Sequence, residues 1–470
     1  MLNNDGKRQG RVGADSKLIY YILTGAFLAR LVGLTAPPMG VHSWRQADTA
    51  SIARNFSEGR FNILFPQVDW GGTTSGYTET EFPIYSYAVA ALYKIFGVHE
   101  FLARLLAIAF SLIAVYFIYR FAKDLWDEKC ALWAAAFFAF LPLQIFYSRT
   151  IMPESMLMMC LTVGTYYFYR WYKTDSFRHI LTASIFISLA VLIKPPSLYL
   201  FLPLGYLAWR RYRFRLAVQP YLWMFFLIIA VPFALWYWHA HQLYLETGLT
   251  FGIWQSGDKW GSLDLLLTFD YWRVILWEHL ARPLAFFGIP ILITGLVLKR
   301  ERKEERFLIF WMVAILVFVL IVGEGNYVHE YYLLPVMVPA ALLMGKVYGK
   351  LLSGYRKWFD LKQILLLVCM AGMLVSSLFI YVIYFIQEAP SASERVALGN
   401  YVQAHTNPDD LIVVVDSNDP TLFYLCHRKG WSVLPGQYSP ENHAMYRDWG
   451  AGYVVGINPN GQVFIDLNQK

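Results

Sequence analysis

Apolar runs of membrane-span length recur along this 470-residue chain, and no other feature constrains its fold as strongly. They fall at 18–37, 101–121, 131–148, 153–172, 179–193, 197–209, 219–238, 283–298, 307–323, 332–349 and 362–386. A bilayer offers no water to satisfy backbone groups, so such runs predict helices. Composition agrees: 57% of residues are hydrophobic and only 16% are charged, against about 25% in soluble proteins. The chain therefore reads as an α-helical polytopic membrane protein with a span for each run. The run at 82–97 is shorter and amphipathic, which predicts a helix lying in the interface. The first apolar run follows a basic start but lacks a small-x-small cleavage pattern, so it reads as a retained helix and not a signal peptide.

A net charge of +7 would suggest nucleic acid in a soluble chain. Here the basic residues gather in short connections: 1–17, 120–129, 170–178, 210–215, 299–306 and 346–362. With those on the cytoplasmic side, charge sets topology and no nucleic-acid partner is implied. The opposite side then carries Arg45, Arg54, Arg60, Arg149, Lys194, Lys259, Arg273 and Arg282 in longer segments. Residues 38–100, 239–282 and the tail form the large outer pieces, which marks that face as the working one. The four cysteines (Cys130, Cys160, Cys369 and Cys426) show neither metal-ligand spacing nor a disulfide framework.

The composition changes near residue 388. Residues 391–405 read as a helix, Asn407-Pro408-Asp409-Asp410 as a turn, and 411–415 as a buried strand. Residues 420–428 suit a helix, and 453–457 and 463–467 suit strands. Two domains follow: a transmembrane domain over 1–387 and a small α/β domain over 388–470.

Charged residues at membrane depth or at its edge are costly, so they are candidates for function. Asp48 lies in the first outer segment, within His42-Ser43-Trp44-Arg45-Gln46-Ala47-Asp48-Thr49. A carboxylate tucked against the bilayer suits a general base; equally, Asp48 could cap a helix starting at Thr49. Glu154 follows Pro153 at the start of a span, where it could serve chemistry or simply favour the helix dipole. Lys194-Pro195-Pro196 opposes the positive-inside bias, which points to an anion. Arg45, Arg149 and His329 are further phosphate candidates. Trp44 and Trp70 could stack on a sugar, and Glu81, Tyr331 and Tyr332 could line a substrate. No metal-ligand motif is present, so no cofactor is required, although two carboxylates could hold Mg²⁺ or Mn²⁺ weakly.

The order of these parts resembles the polytopic GT-C glycosyltransferases, most closely the glycosyltransferase family 39 group that includes protein O-mannosyltransferases and aminoarabinose transferases. The resemblance rests on Ile52-Ala53-Arg54-Asn55, on Glu81-Phe82-Pro83-Ile84-Tyr85 running to Phe96-Gly97, and on Ala103-Arg104-Leu105. It spans roughly 18–350. It implies a polyprenyl-phosphate sugar donor, inversion at the anomeric carbon, and a bacterial inner membrane with the site on the outer face. The acceptor would be a protein, lipid or glycan. The family's acidic pair before its Ile-Ala-Arg helix is Arg45-Gln46 here, which leaves Asp48 as the acid of that loop. The family's Lys-Pro-Pro before the interfacial helix is Glu81-Phe82-Pro83 here. Glu154 matches a second acidic position, and Lys194-Pro195-Pro196 a later lysine. Glu330-Tyr331-Tyr332-Leu333-Leu334-Pro335 is similar to an Arg-Tyr-Leu-Leu-Pro stretch. The reading is an inverting membrane glycosyltransferase with Asp48 and Glu154 catalytic and Arg45, Arg149, Lys194 and His329 on the donor phosphate. The rival reading, a transporter or lipid-linked-sugar flippase, would place charges at mid-span in paired halves with broken helices.

Overall fold

The computed structural model describes residues 16–252, 259–352, 360–388, 394–416, 419–458 and 461–467. The basic run before Ser16, residues 353–359 of the last basic connection and residues 391–393 of the expected tail helix lie outside them.

Each apolar run folds as helix, but several are broken where local chemistry demands it. The first eight helices are α1 (Lys17–Ala29), α2 (Ser43–Glu58), α3 (Ile84–Phe96), α4 (Glu100–Leu125), α5 (Glu128–Phe140), α6 (Pro142–Tyr147), α7 (Glu154–Thr174) and α8 (Phe177–Ile193). The side chain of Asp127 caps α5 by accepting from the Cys130 amide. Pro142 cannot donate the next backbone bond and biases Leu141 to extended backbone, so α5 ends there and α6 begins. Lys194-Pro195-Pro196 ends α8 in the same way and starts a tight 3₁₀ turn. Among the described residues, four helical stretches are long and apolar enough to cross a membrane: Glu100–Leu125, Pro220–Thr247, Glu330–Leu351 and Leu361–Ile386. The other apolar runs form shorter or interrupted helices.

Small residues set how closely these helices pack. α5 lies against the helix Met337–Leu351. A Cβ added at Gly345 would come within 2.5 Å of Ala134, and one at Gly349 within 2.6 Å of Cys130. Close backbone approach of this kind drives association where lipid removes the hydrophobic contrast. Leu374, Val375, Leu378 and Phe379 on the last long helix, and Leu235 and Trp238 on Pro220–Thr247, are exposed, which suits helix faces turned to acyl chains. The basic connections are not all solvated anchors. Lys346 is buried and paired with Glu305 at 2.6 Å.

The tail carries a four-stranded sheet in the order β2-β1-β3-β4, with β1 Leu411–Val415, β2 Gly430–Val433, β3 Ala451–Asn458 and β4 Gly461–Asp466. β1 is parallel to both neighbours, and β3 pairs antiparallel with β4. Helices flank the sheet at Glu394–His405 and Thr421–Cys426. The expected strands and helices of the tail are therefore present, and β2 is an addition.

Candidate functional site

α2 is unusual because it is polar and yet buried from Arg45 through Phe56 without interruption. A polar helix earns such burial only through tertiary partners. It starts at Ser43, one residue after His42, whose left-handed backbone (φ 54°) turns the chain into the helix. Asp48 is thus inside the helix and caps nothing, contrary to the capping alternative. The 3.6-residue period then divides the polar residues between faces. Arg45, Thr49 and Ile52 share the face toward Glu81 and Pro83. Asp48 and Asn55 turn instead toward residues 67–70.

The first of these faces borders a cavity of about 250 Å³. Trp44, Arg45, Glu81, Lys194, Lys259, His329, Tyr331 and Tyr332 supply its polar and aromatic wall; Leu157, Ile193, Pro196, Phe318 and Val322 supply apolar wall. Segment 79–82 is held from three sides. Glu79 bridges Thr250 in parallel register, the Phe82 amide donates to the Leu192 carbonyl (3.1 Å), and the Trp236 indole donates to the Thr80 carbonyl (3.2 Å). Glu81 is thereby fixed opposite Arg45, and the two form an ion pair. The guanidinium also lies over Phe251, 5.3 Å from its centroid.

Lys194 reaches the cavity from the break after α8. Its ammonium pairs with Glu154 at 2.5 Å and sits over Tyr331 and Tyr332, at 4.5 and 4.9 Å from their centroids. Burial pulls this ammonium below its usual range, and Glu154 opposes that shift. Glu154 itself is 1% exposed and is absent from the described cavity lining, so it touches the cavity through Lys194. Lys259 donates to the carbonyls of Phe251 and Gly252 at 2.9 and 3.0 Å. The sequence reading did not select Lys259, although the signal that singled out Lys194, a lysine on the outer side, was present there too.

His329 lines the cavity against Trp44 (5.7 Å) and Tyr331 (5.3 Å). Burial, then nearby His42, Lys194, Lys259 and Arg45, push its pKa down to about 3. That favours the neutral ring, which can offer a phosphate a hydrogen bond. Arg149 is fully buried away from the cavity, 4.0 Å from the Phe385 centroid, with a bond to the Gly33 carbonyl. Arg149 is not among the described residues that line the cavity. Glu330 is held by Tyr147, Tyr384 and Arg282 and does not line the cavity.

Asp48 is 4% exposed and does not line the cavity. The Trp70 indole donates to it at 3.0 Å, and Trp70 does not line the cavity either. Burial raises the Asp48 pKa to about 7; Trp70 and Arg45 lower it, and Asp69 and Asp419 raise it. A pKa near neutrality suits a base, but geometry decides first, and this carboxyl faces the joint with the tail. That joint is well built. Ser43 donates to Asp419 (3.0 Å), Arg54 pairs with Asp69 (2.7 Å) and donates to the Tyr424 carbonyl (2.9 Å), and Tyr424 donates to Glu100 (3.0 Å). Backbone bonds join Gly430 to Asp69 and Gly72 (2.9 and 2.8 Å). Among the described residues no cluster of three His, Cys, Asp or Glu side chains could hold a metal ion.

Residues 80–238 match the family model described as dolichyl-phosphate-mannose-protein mannosyltransferase. No curated protein matches the sequence. Solved structures do match the fold. ArnT from Cupriavidus metallidurans in the apo state is 12% identical with a TM-score of 0.69, over 94% of this chain and 93% of that one. ArnT bound to undecaprenyl phosphate is 15% identical with a TM-score of 0.63, over 95% and 94%. The oligosaccharyltransferase AglB from Archaeoglobus fulgidus, in complex with an inhibitory peptide and a dolichol-phosphate, is 15% identical with a TM-score of 0.54, over 94% of this chain and 69% of that chain.

Proposed function

Starting from a chain with the fold of the GT-C membrane glycosyltransferases, we propose that this protein is an integral-membrane inverting glycosyltransferase. It moves a monosaccharide from a polyprenyl-phosphate donor to an acceptor hydroxyl on the outer face of a bacterial inner membrane. The observation that carries this reading is the two-sided wall of the cavity. Arg45, Lys194 and Lys259 gather beside Trp44 and the tyrosines, while Pro196, Phe318 and Val322 continue the wall as hydrocarbon. A phosphate attached to a long alkyl chain matches both halves.

Each residue then has a task. Arg45 and Lys259 hold the phosphate oxygens and stabilise negative charge as the phosphate leaves. Lys194 adds a third cation, aimed by Glu154 and by the faces of Tyr331 and Tyr332. Glu154 acts through Lys194, which makes it a positioning residue. Neutral His329 offers a hydrogen bond, and Trp44 offers an apolar face to the sugar. The acceptor oxygen attacks the anomeric carbon opposite the phosphate, which inverts configuration. Binding of undecaprenyl phosphate by the similar ArnT supports the lipid class.

The test is incubation of the purified, detergent-solubilised protein with labelled polyprenyl-phosphate sugars and a cell-envelope acceptor fraction. Release of polyprenyl phosphate with the label on acceptor is expected. Flipping of the intact lipid in vesicles, without cleavage, would replace this reading with transport.

A further inference from the structure

We propose that Glu81 is the general base of the reaction and that Asp48 is not; this assignment rests on the glycosyl-transfer reading above. Among the described residues lining the cavity, Glu81 is the single acid. Its side chain is 17% exposed, against 2% for that of Glu154. Asp48 faces the tail joint, and Glu330 is filled by Tyr147, Tyr384 and Arg282. Glu81 accepts from Arg45 and from the Thr80 hydroxyl (3.1 Å), which uses two of about four acceptor positions on a carboxylate. Room remains for an incoming hydroxyl.

The Arg45 guanidinium compensates the Glu81 carboxylate beside the cavity. The same guanidinium faces the cavity, so base and phosphate-binding cation stand side by side at the point of transfer. In the step, Glu81 takes the acceptor proton and the acceptor oxygen bonds to the anomeric carbon. The bond from that carbon to the phosphate oxygen breaks, its electron pair leaves on the polyprenyl phosphate, and Glu81 later returns the proton to water.

Four variants test this, each with turnover, melting temperature and undecaprenyl-phosphate binding by Trp fluorescence. Glu81→Gln should lower turnover by about 10²- to 10⁴-fold, the usual share of a general base, with lipid binding kept and the acidic limb of the pH–rate profile lost. Glu81→Asp should retain part of the rate. Arg45→Glu combined with Glu81→Arg puts a carboxylate back at the same place from the other wall, and should exceed Glu81→Gln by at least about tenfold. Asp48→Asn should stay within about threefold of wild type. The assignment is overturned if Glu81→Gln keeps wild-type turnover, or if Asp48→Asn loses as much as Glu81→Gln with melting and lipid binding intact. A wild type that binds the lipid but cleaves no polyprenyl-phosphate sugar would instead overturn the functional reading, and the assignment with it.

Discussion

Two carboxylates border helix α2 and live in opposite worlds. Glu81 stands on the cavity wall with a cation beside it, while Asp48 is enclosed between α2, Trp70 and the tail. The first arrangement keeps a charge available at a place a substrate can reach. The second suppresses charge by burial and uses the carboxyl as a hydrogen-bond partner in a joint. Changes on the cavity side should therefore alter turnover, and changes on the joint side should alter stability and pH dependence.

The sharpest challenge to this division is Lys194→Met. Removing the lysine leaves Glu154 buried without its cation, and breaking a buried pair costs about 3–5 kcal/mol. Turnover should fall below detection. Glu154→Gln with Lys194→Met should recover melting temperature but not turnover, a split that separates the structural and phosphate-binding contributions of the lysine.

On the joint side, Asp48→Asn should remove a pH dependence. The folded pKa of about 7 lies above the ordinary carboxylate value of 3.8. The folded protein therefore holds a proton that the unfolded chain has lost between these values. Stability from this group is greatest below pH 3.8, declines as pH rises, and is lost by about pH 7. The full span is on the order of 4 kcal/mol at 1.36 kcal/mol per unit. Melting curves between pH 5 and 8 should fall more steeply for wild type than for Asp48→Asn. Equal slopes would mean that Asp48 is not enclosed as described.

A smaller effect is expected for Gly72→Ala. Gly72 has φ +61°, and a Cβ there would lie 2.3 Å from the Trp431 indole nitrogen. Overpacking costs about 1–3 kcal/mol, and limited proteolysis should release the tail sooner while residual turnover in the intact fraction is kept. The smallest effect is that of His329→Gln. Because His329 is already neutral, turnover between pH 6 and 8 should change by less than about threefold. A lost titration step near pH 6.5 would show that this ring carries charge after all.

Much of this contrast was out of reach of the sequence, for identifiable reasons. Hydropathy and basic-residue bias marked the helical runs, and short apolar, β-branched runs marked β1, β3 and β4. Lys194 stood out because it violated the charge bias. Which way Asp48 faces could not be read because the start of α2 lacks a Ser, Thr, Asp or Asn cap; His42 supplies a left-handed turn instead, and the start at Ser43 sets the direction of Asp48. The Arg45–Glu81 pair depends on a strand-like bridge between Glu79 and Thr250 that local pattern does not encode. β2 was missed because Gly430-Trp431-Ser432-Val433 is short and its pairing surface includes residues 69–72, far away in the chain.

The backbone bonds at Gly430 have a consequence for how the protein is made. Arg54 and Tyr424, which meet in the same joint, are 370 residues apart. At about 5–20 residues per second, roughly 20–70 s of synthesis separate them. During that interval α2 is inserted without the partners that enclose Asp48 and Asp69, so two buried acids stay open to water. The segment from Asp419 to Gly430, where β2 starts, closes that side of the first loop when it arrives. A nascent chain therefore leaves the buried acids of its first outer segment open to water until residues 419–430 are delivered across the membrane.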